Sequence, residues 1–314
     1  MMRFAPTLVV VLLLAATAVA FAVTERLKLE GAPIAGPEVT RVFSPVCDCD
    51  EQRATIGFRL LRPDRVDVTI VDEDGRVVRR LVDGQSVGAE RFSTSWDGRD
   101  DGRRVVPEGT YRLRLRLERQ RRTILLPNVI RVDTPPPRVL DVRVSPPGFS
   151  PDGDGRNDKL TVRYRFSERA HGLLYLGERR VVRTRGQRPV AKLDWFGRVG
   201  GKPLPAGVYG FTLAAEDIAG NVGGGRTFPA RIRYVELSRE TVQVPAALRF
   251  SIRVRSDAET VRWRFAGGTG STAPGPLVLR APRRPGSYTL FVDANGHGAK
   301  ASVRVVARPD QAPR

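Results

Sequence analysis

Trp96-Asp97-Gly98-Arg99-Asp100-Asp101-Gly102, followed by Pro107-Glu108-Gly109-Thr110-Tyr111, returns later in the chain. The second copy reads Trp195-Phe196-Gly197-Arg198-Val199-Gly200-Gly201, then Pro205-Ala206-Gly207-Val208-Tyr209. Alternating apolar and polar residues surround both copies: Ile56-Gly-Phe58-Arg-Leu60, Val66-Asp-Val68-Thr-Ile70 and Tyr111–Leu117 before the repeat, Val162-Arg-Tyr164-Arg-Phe166 within it. Period two is the mark of half-buried strands, and Asp-Gly turns at 74–75, 83–84, 97–98 and 101–102 separate them. No stretch after the N-terminus shows a capped helical period. The expected fold class is therefore all-β, with each tryptophan filling the core of a small sandwich.

Each copy also begins alike. Phe43-Ser44-Pro45 opens the first and Phe149-Ser150-Pro151 the second, each followed by a short loop and an alternating run. In the second copy the loop continues Asp152-Gly153-Asp154-Gly155-Arg156-Asn157-Asp158. Carboxylates spaced by glycine are how a chain curls oxygen ligands round a hard cation, since glycine permits the tight turn. The expected Ca²⁺ site comprises Asp152, Asp154, Asp158 and the carbonyl of Arg156, with Asn157 as a further oxygen donor or strand cap. A solvated turn is the competing reading, because Asp and Gly also favour turns. The aligned positions of the first copy are Val46, Asp48 and Gln52, so that loop is expected to bind calcium weakly or not at all.

The first loop instead holds the only two cysteines, Cys47 and Cys49, where the second has Gly153 and Gly155. Two thiols are too few for a soft-metal centre. In an oxidising compartment the expected state is a Cys47–Cys49 disulfide, with free thiols or cross-chain pairing as alternatives.

The Trp-Asp-Gly-Arg and Pro-x-Gly-x-Tyr signatures, with the Phe-Ser-Pro-Asp-Gly-Asp-Gly-x-Asn-Asp opening, resemble the Ig-like domain of the flagellar hook-capping protein (FlgD-type). That module recurs in secreted and membrane-anchored bacterial surface proteins. The resemblance spans about residues 40–235 and implies tandem Ig-like sandwiches used as spacers or interaction units. Phe196 departs from the Asp or Asn the family prefers there.

The remaining organisation follows from composition. Met1-Met2-Arg3 precedes an apolar run from Phe4 to Val23, about the 20 residues a membrane helix needs. An uncleaved transmembrane anchor is expected over 1–24, with a cleaved signal peptide as the alternative. Either places the rest outside the cytoplasm. The expected divisions are a tether at 25–37, Ig-like sandwiches at 38–134 and 139–235, a third Ig-like β-sandwich of different sequence at 236–307, where Pro285-Gly286-Ser287-Tyr288 looks like the turn into a late strand, and a tail at 308–314. Asp133–Arg138, with three consecutive prolines, reads as a stiff linker.

Basic residues number 53 against 34 acidic, a net charge of +19, and only five of the basic residues are Lys. Arginine falls on alternate strand positions, so a solvated strand face and adhesion to acidic polymers are both readings. With no basic helix and no aromatic-laced RNA motif, nucleic acid is not an expected partner. Two histidines in separate units and no nucleophile elbow, zinc-protease helix or phosphate loop argue against an enzyme. The expected role is a non-enzymatic structural, adhesion or scaffolding protein of the cell envelope. Its partners would be the membrane through the N-terminal segment and envelope glycans or surface proteins. An accessory module of a cell-surface enzyme, or an Arg-rich polyanion binder, are the alternatives.

Overall fold

The computed structural model describes residues 5–29 and 32–308; within the N-terminal helix, side chains are described for 9–21. The chain is all-β after that helix, and it forms tandem Ig-like β-sandwiches. It divides into two compact units, 1–134 with one sandwich and 135–314 with two.

Each sandwich packs a three-stranded sheet on a five-stranded one. In the first, Ile34–Val39, Ala54–Leu60 and Arg91–Trp96 form the smaller sheet. The larger runs Val42–Phe43, Arg122–Val132, Gly109–Leu117, Asp64–Val71, Val77–Val87. Strand Gly109–Leu117 shows why the sequence folds so: Tyr111, Leu113, Leu115 and Leu117 are buried while Arg112 and Arg116 face water. Trp96 fills the centre, edge-on to Phe43 and Tyr111 at 5.5 and 5.2 Å between ring centroids.

The second sandwich repeats this plan. Val139–Ser145, Leu160–Phe166 and Val190–Trp195 make the smaller sheet. Gly148–Phe149, Arg226–Ile232, Gly207–Glu216, His171–Leu176 and Arg179–Arg183 make the larger. Trp195 packs against Phe149 and Phe211 at 5.8 and 4.9 Å.

The third sandwich, expected as a different piece, has the same strand order. Glu236–Leu237, Arg249–Arg255 and Gly275–Arg280 face Thr241–Pro245, His297–Val306, Gly286–Ala294, Val261–Phe265 and Gly268–Thr272. One corner is common to all three. The hydroxyls of Tyr111, Tyr209 and Tyr288 donate to the carbonyls of Pro107, Pro205 and Arg284, at 2.8, 2.9 and 3.0 Å.

Two expectations at the N-terminus are corrected. The stretch 25–37, read as a tether, supplies residues of the strand Ile34–Val39, whose Ile34 pairs with Leu60 and Val39 with Ile56. The helix spans Ala5–Leu29, yet among the described residues no helix is long and apolar enough to cross a membrane. Of the expected Phe4–Val23 span, side chains 9–21 are described and the rest lies outside the described side chains. A single-pass anchor over 1–24 is not shown among the described residues.

Candidate metal centre

The loop after Phe149 is held at its root by the core. Phe149 pairs in parallel with Ile232, its ring lies against Trp195, and Ser150 beside it is fully buried. Pro151 is clamped by Gly197, which has φ +65°; a Cβ there would lie 2.3 Å from Pro151 Cγ. This contact explains why the two signatures travel together. The tryptophan corner needs glycine because the proline of the loop root occupies the space a side chain would take.

Beyond Pro151 the chain curls outward. Gly153 and Gly155 take φ +87° and +85° with open space around them, so backbone conformation alone calls for glycine there. Asp158 closes the curl, its Oδ1 accepting the Gly153 N–H at 2.6 Å and its Oδ2 the Gly155 N–H at 2.7 Å. Asp152 accepts from the Asp154 N–H at 3.4 Å, and Asp154 from the Arg156 N–H at 2.8 Å. The carbonyl of Asn157, at φ +49°, accepts the Ser150 N–H at 3.0 Å.

Three of the four expected ligand residues converge: Asp152, Asp154 and Asp158 each offer an oxygen, all within 4.8 Å of one another. The fourth expected ligand is a backbone carbonyl, that of Arg156, whose amide donates to Asp154 and whose guanidinium meets Glu259 at 3.5 Å.

Glu259 belongs to the third sandwich, and so do the other groups that meet this loop. Asn295, at the left-handed position of the hairpin before His297, donates its amide to Asp152 Oδ2 at 3.1 Å and Asp154 Oδ2 at 3.2 Å. Ser150 Oγ donates to Asp257 at 2.7 Å. The His297 ring stacks on Tyr234, 3.6 Å between centroids and nearly parallel. The acidic loop is thus wedged between the second and third sandwiches.

Burial pushes the Asp152 carboxyl above its ordinary pKa. The Asn295 amide and the Asp154 N–H oppose this, while the charges of Asp154 and Asp257 add to it. Such crowding of carboxylates is what an added cation relieves.

The twin loop in the first sandwich has the same root and a different tip. Gly98, at φ +69°, clamps Pro45 with a would-be Cβ 2.6 Å from Pro45 Cβ, and Ser44 N–H reaches the Glu51 carbonyl at 3.3 Å. At the tip Cys47 and Cys49 are joined by a disulfide, Cα–Cα 5.3 Å, and the Gln52 amide donates to the Cys47 carbonyl. Spacing within the loops pointed to both tips. It carried no signal for Asn295, Asp257 or Glu259, which arrive from turns and loops far along the chain.

No family model and no curated protein matches this chain. Several solved structures are similar to it. An I-band fragment of titin aligns at 11% identity and TM-score 0.31, over 88% of this chain and 99% of that one. The Bacteroides ovatus mixed-linkage glucan utilization locus protein SGBP-B, in complex with a mixed-linkage heptasaccharide, aligns at 15% and 0.22, over 87% and 71%. A 1.5-MDa bacterial ice-binding adhesin aligns at 11% and 0.27, over 88% and 99%. At these identities and TM-scores the names carry no role over to this chain, its Ig-like architecture rests on its own strand order, and kinship with the flagellar hook-capping type is not shown.

Proposed function

We propose that the protein is a non-enzymatic, extracytoplasmic scaffold whose second and third sandwiches are stiffened at their joint by a calcium ion held by Asp152, Asp154 and Asp158. The observation that carries this reading is the position of the three converging carboxylates. They lie beneath the Asn295 hairpin, where a cation would neutralise charge on one side of the joint and take the Asn295 side-chain oxygen from the other, in exchange for the N–H bonds that amide donates to Asp152 and Asp154. Aspartate oxygens are hard ligands suited to Ca²⁺, and with three protein carboxylates water would complete the shell. Two features support export: the apolar N-terminal run and a disulfide in the first sandwich. Both imidazoles have structural roles. His171 Nδ1 lies 2.8 Å from the Thr184 carbonyl and the His297 ring stacks on Tyr234, so each ring is held in place by its sandwich.

Calorimetry on the full chain tests the metal, and cell fractionation tests the location. One calcium per chain is expected, lost in Asp154→Asn. Absence of calcium heat, together with a melting curve indifferent to chelator, leaves the loop a hydrogen-bonded turn and refutes the joint.

A further inference from the structure

The outer face of the larger sheet of the third sandwich carries an arrangement that neither the core nor the joint uses. Across four neighbouring strands the register sets Thr269, Arg264, Phe291 and Lys300 side by side. Phe291 is 45% exposed, a large ring on a face otherwise polar. The Arg264 guanidinium carbon lies 5.5 Å from its centroid. In the adjoining row Arg262 binds Asp293 at 2.7 Å, which commits the one acid of these rows. Arg264 and Lys300 therefore flank the ring with no carboxylate partner among the described residues. The rows line a shallow groove of about 980 Å³. The alternate row, with Trp263, Gly270 and Val292, turns to the core, where the indole lies over Gly270; a Cβ there would lie 2.6 Å from the ring.

We propose that this groove binds a glycan bearing uronic-acid carboxylates. A pyranose presents an apolar C–H face to a ring such as Phe291 and a rim of hydroxyls to Thr269, Ser271 and Asp293. A carboxylate on that sugar meets Arg264, whose planar fork fits it in a bidentate way, with Lys300 on the far side. Charge sets the sign of the ligand, since two free cations stand beside one neutralised acid. The single ring sets its class, because a nucleic-acid strand is held by successive aromatic platforms, which this face lacks. A neutral glycan would leave both cations unused. The inference takes only its setting from the extracytoplasmic reading.

The test is binding of oligogalacturonate to the full chain. A neutral cello-oligosaccharide, polyphosphate and a single-stranded oligodeoxynucleotide of equal charge serve as comparisons. Oligogalacturonate is expected to bind, the neutral glycan not. Phe291→Ala and Arg264→Gln should each weaken binding about tenfold, the scale of one lost stacking or charge-assisted contact. Arg264→Gln should also flatten the salt dependence, and Arg264→Lys should keep the salt dependence while losing affinity. Both positions are exposed, so unchanged melting curves will show the variants folded. No binding, equal binding of the neutral glycan, tighter binding of oligonucleotide or polyphosphate, or variants that bind like the parent each overturn the proposal. None of these outcomes bears on the calcium or fractionation results.

Discussion

The loops that open the first and second sandwiches share a root and differ at the tip. In both, a buried Phe-Ser pair and a proline are clamped by the tryptophan corner. In the first loop two residues are tied covalently, Cys47 to Cys49, and Gln52 secures the Cys47 carbonyl. In the second the same two positions are glycines, and the carboxylate of Asp158 secures their N–H groups. One tip is thus closed by a bond independent of ions, the other by charges that a neighbouring sandwich and a cation can both read. The frame was kept while the closure changed, which separates what folds the domain from what gives the loop its use.

The largest expected effect tests the shared frame. Gly98→Val and Gly197→Val each force a branched side chain into left-handed backbone and into a proline ring. Strain and overpacking together should cost about 3 kcal/mol or more. Hydrogen exchange resolved by peptide should show the loss in 1–134 for the first variant and in 135–314 for the second. A mild, unlocalised effect in either would mean that the clamp is not common to both.

Next comes the tip. Transplanting the second loop's chemistry into the first, with Val46→Asp, Cys47→Gly, Cys49→Gly and Gln52→Asp, should create a second calcium-dependent transition. At a calcium concentration 100-fold above its dissociation constant, a site contributes about 2.7 kcal/mol. Calorimetry should then count two ions per chain in place of one. If the transplant binds nothing while the parent binds one, the third sandwich's Asn295 is indispensable, and Asn295→Ala in the parent should abolish binding as well.

A smaller effect attends the disulfide alone. Cys47 and Cys49 close a very short ring, so the entropy removed from the unfolded chain is small, and reduction should cost about 1–2 kcal/mol. The melting of unit 1–134 should shift with reductant while that of 135–314 stays put. Thiol labelling before reduction should modify neither cysteine.

Much of the frame was legible because it rests on local pattern. Period-two strands, Asp-Gly turns and the tryptophan signatures are read within a few residues. The third sandwich lacks the tryptophan corner and the Phe-Ser-Pro root, so it was legible as Ig-like only through its alternating strands and Pro285-Gly286-Ser287-Tyr288, which preserves the common tyrosine corner. The first strand, Ile34–Val39, was read as tether because it contains Gly36 and Pro37. It tolerates them as an edge strand, whose register shifts between Ala35 and Glu38. At the candidate site the three carboxylates could be read from spacing. Asn295 could not, since a hairpin tip announces its turn and says nothing of what it will touch.

The smallest expected effect concerns acid, and it belongs to a group no motif marked. Asp64 is buried at the start of its strand in the first sandwich. Burial alone would raise its pKa. The Arg119 N–H, the side chain and N–H of Gln120, and the Arg65 N–H outweigh burial and hold it below the ordinary carboxylate value. A carboxyl whose folded pKa is lowered contributes stability above its unfolded pKa and loses it as pH falls through the folded one. In the second sandwich Asp194 behaves likewise: burial is outweighed by Lys159 and Thr161. Both units should therefore weaken below about pH 4, where an unfolded aspartate takes up its proton. Asp64→Asn should flatten the acid limb of 1–134 and Asp194→Asn that of 135–314, each without touching the other. Melting temperatures taken from pH 5 to pH 2, with hydrogen exchange to assign the unit, check this. An unchanged acid limb in Asp64→Asn would show that its hydrogen bonds do not favour the ionised form.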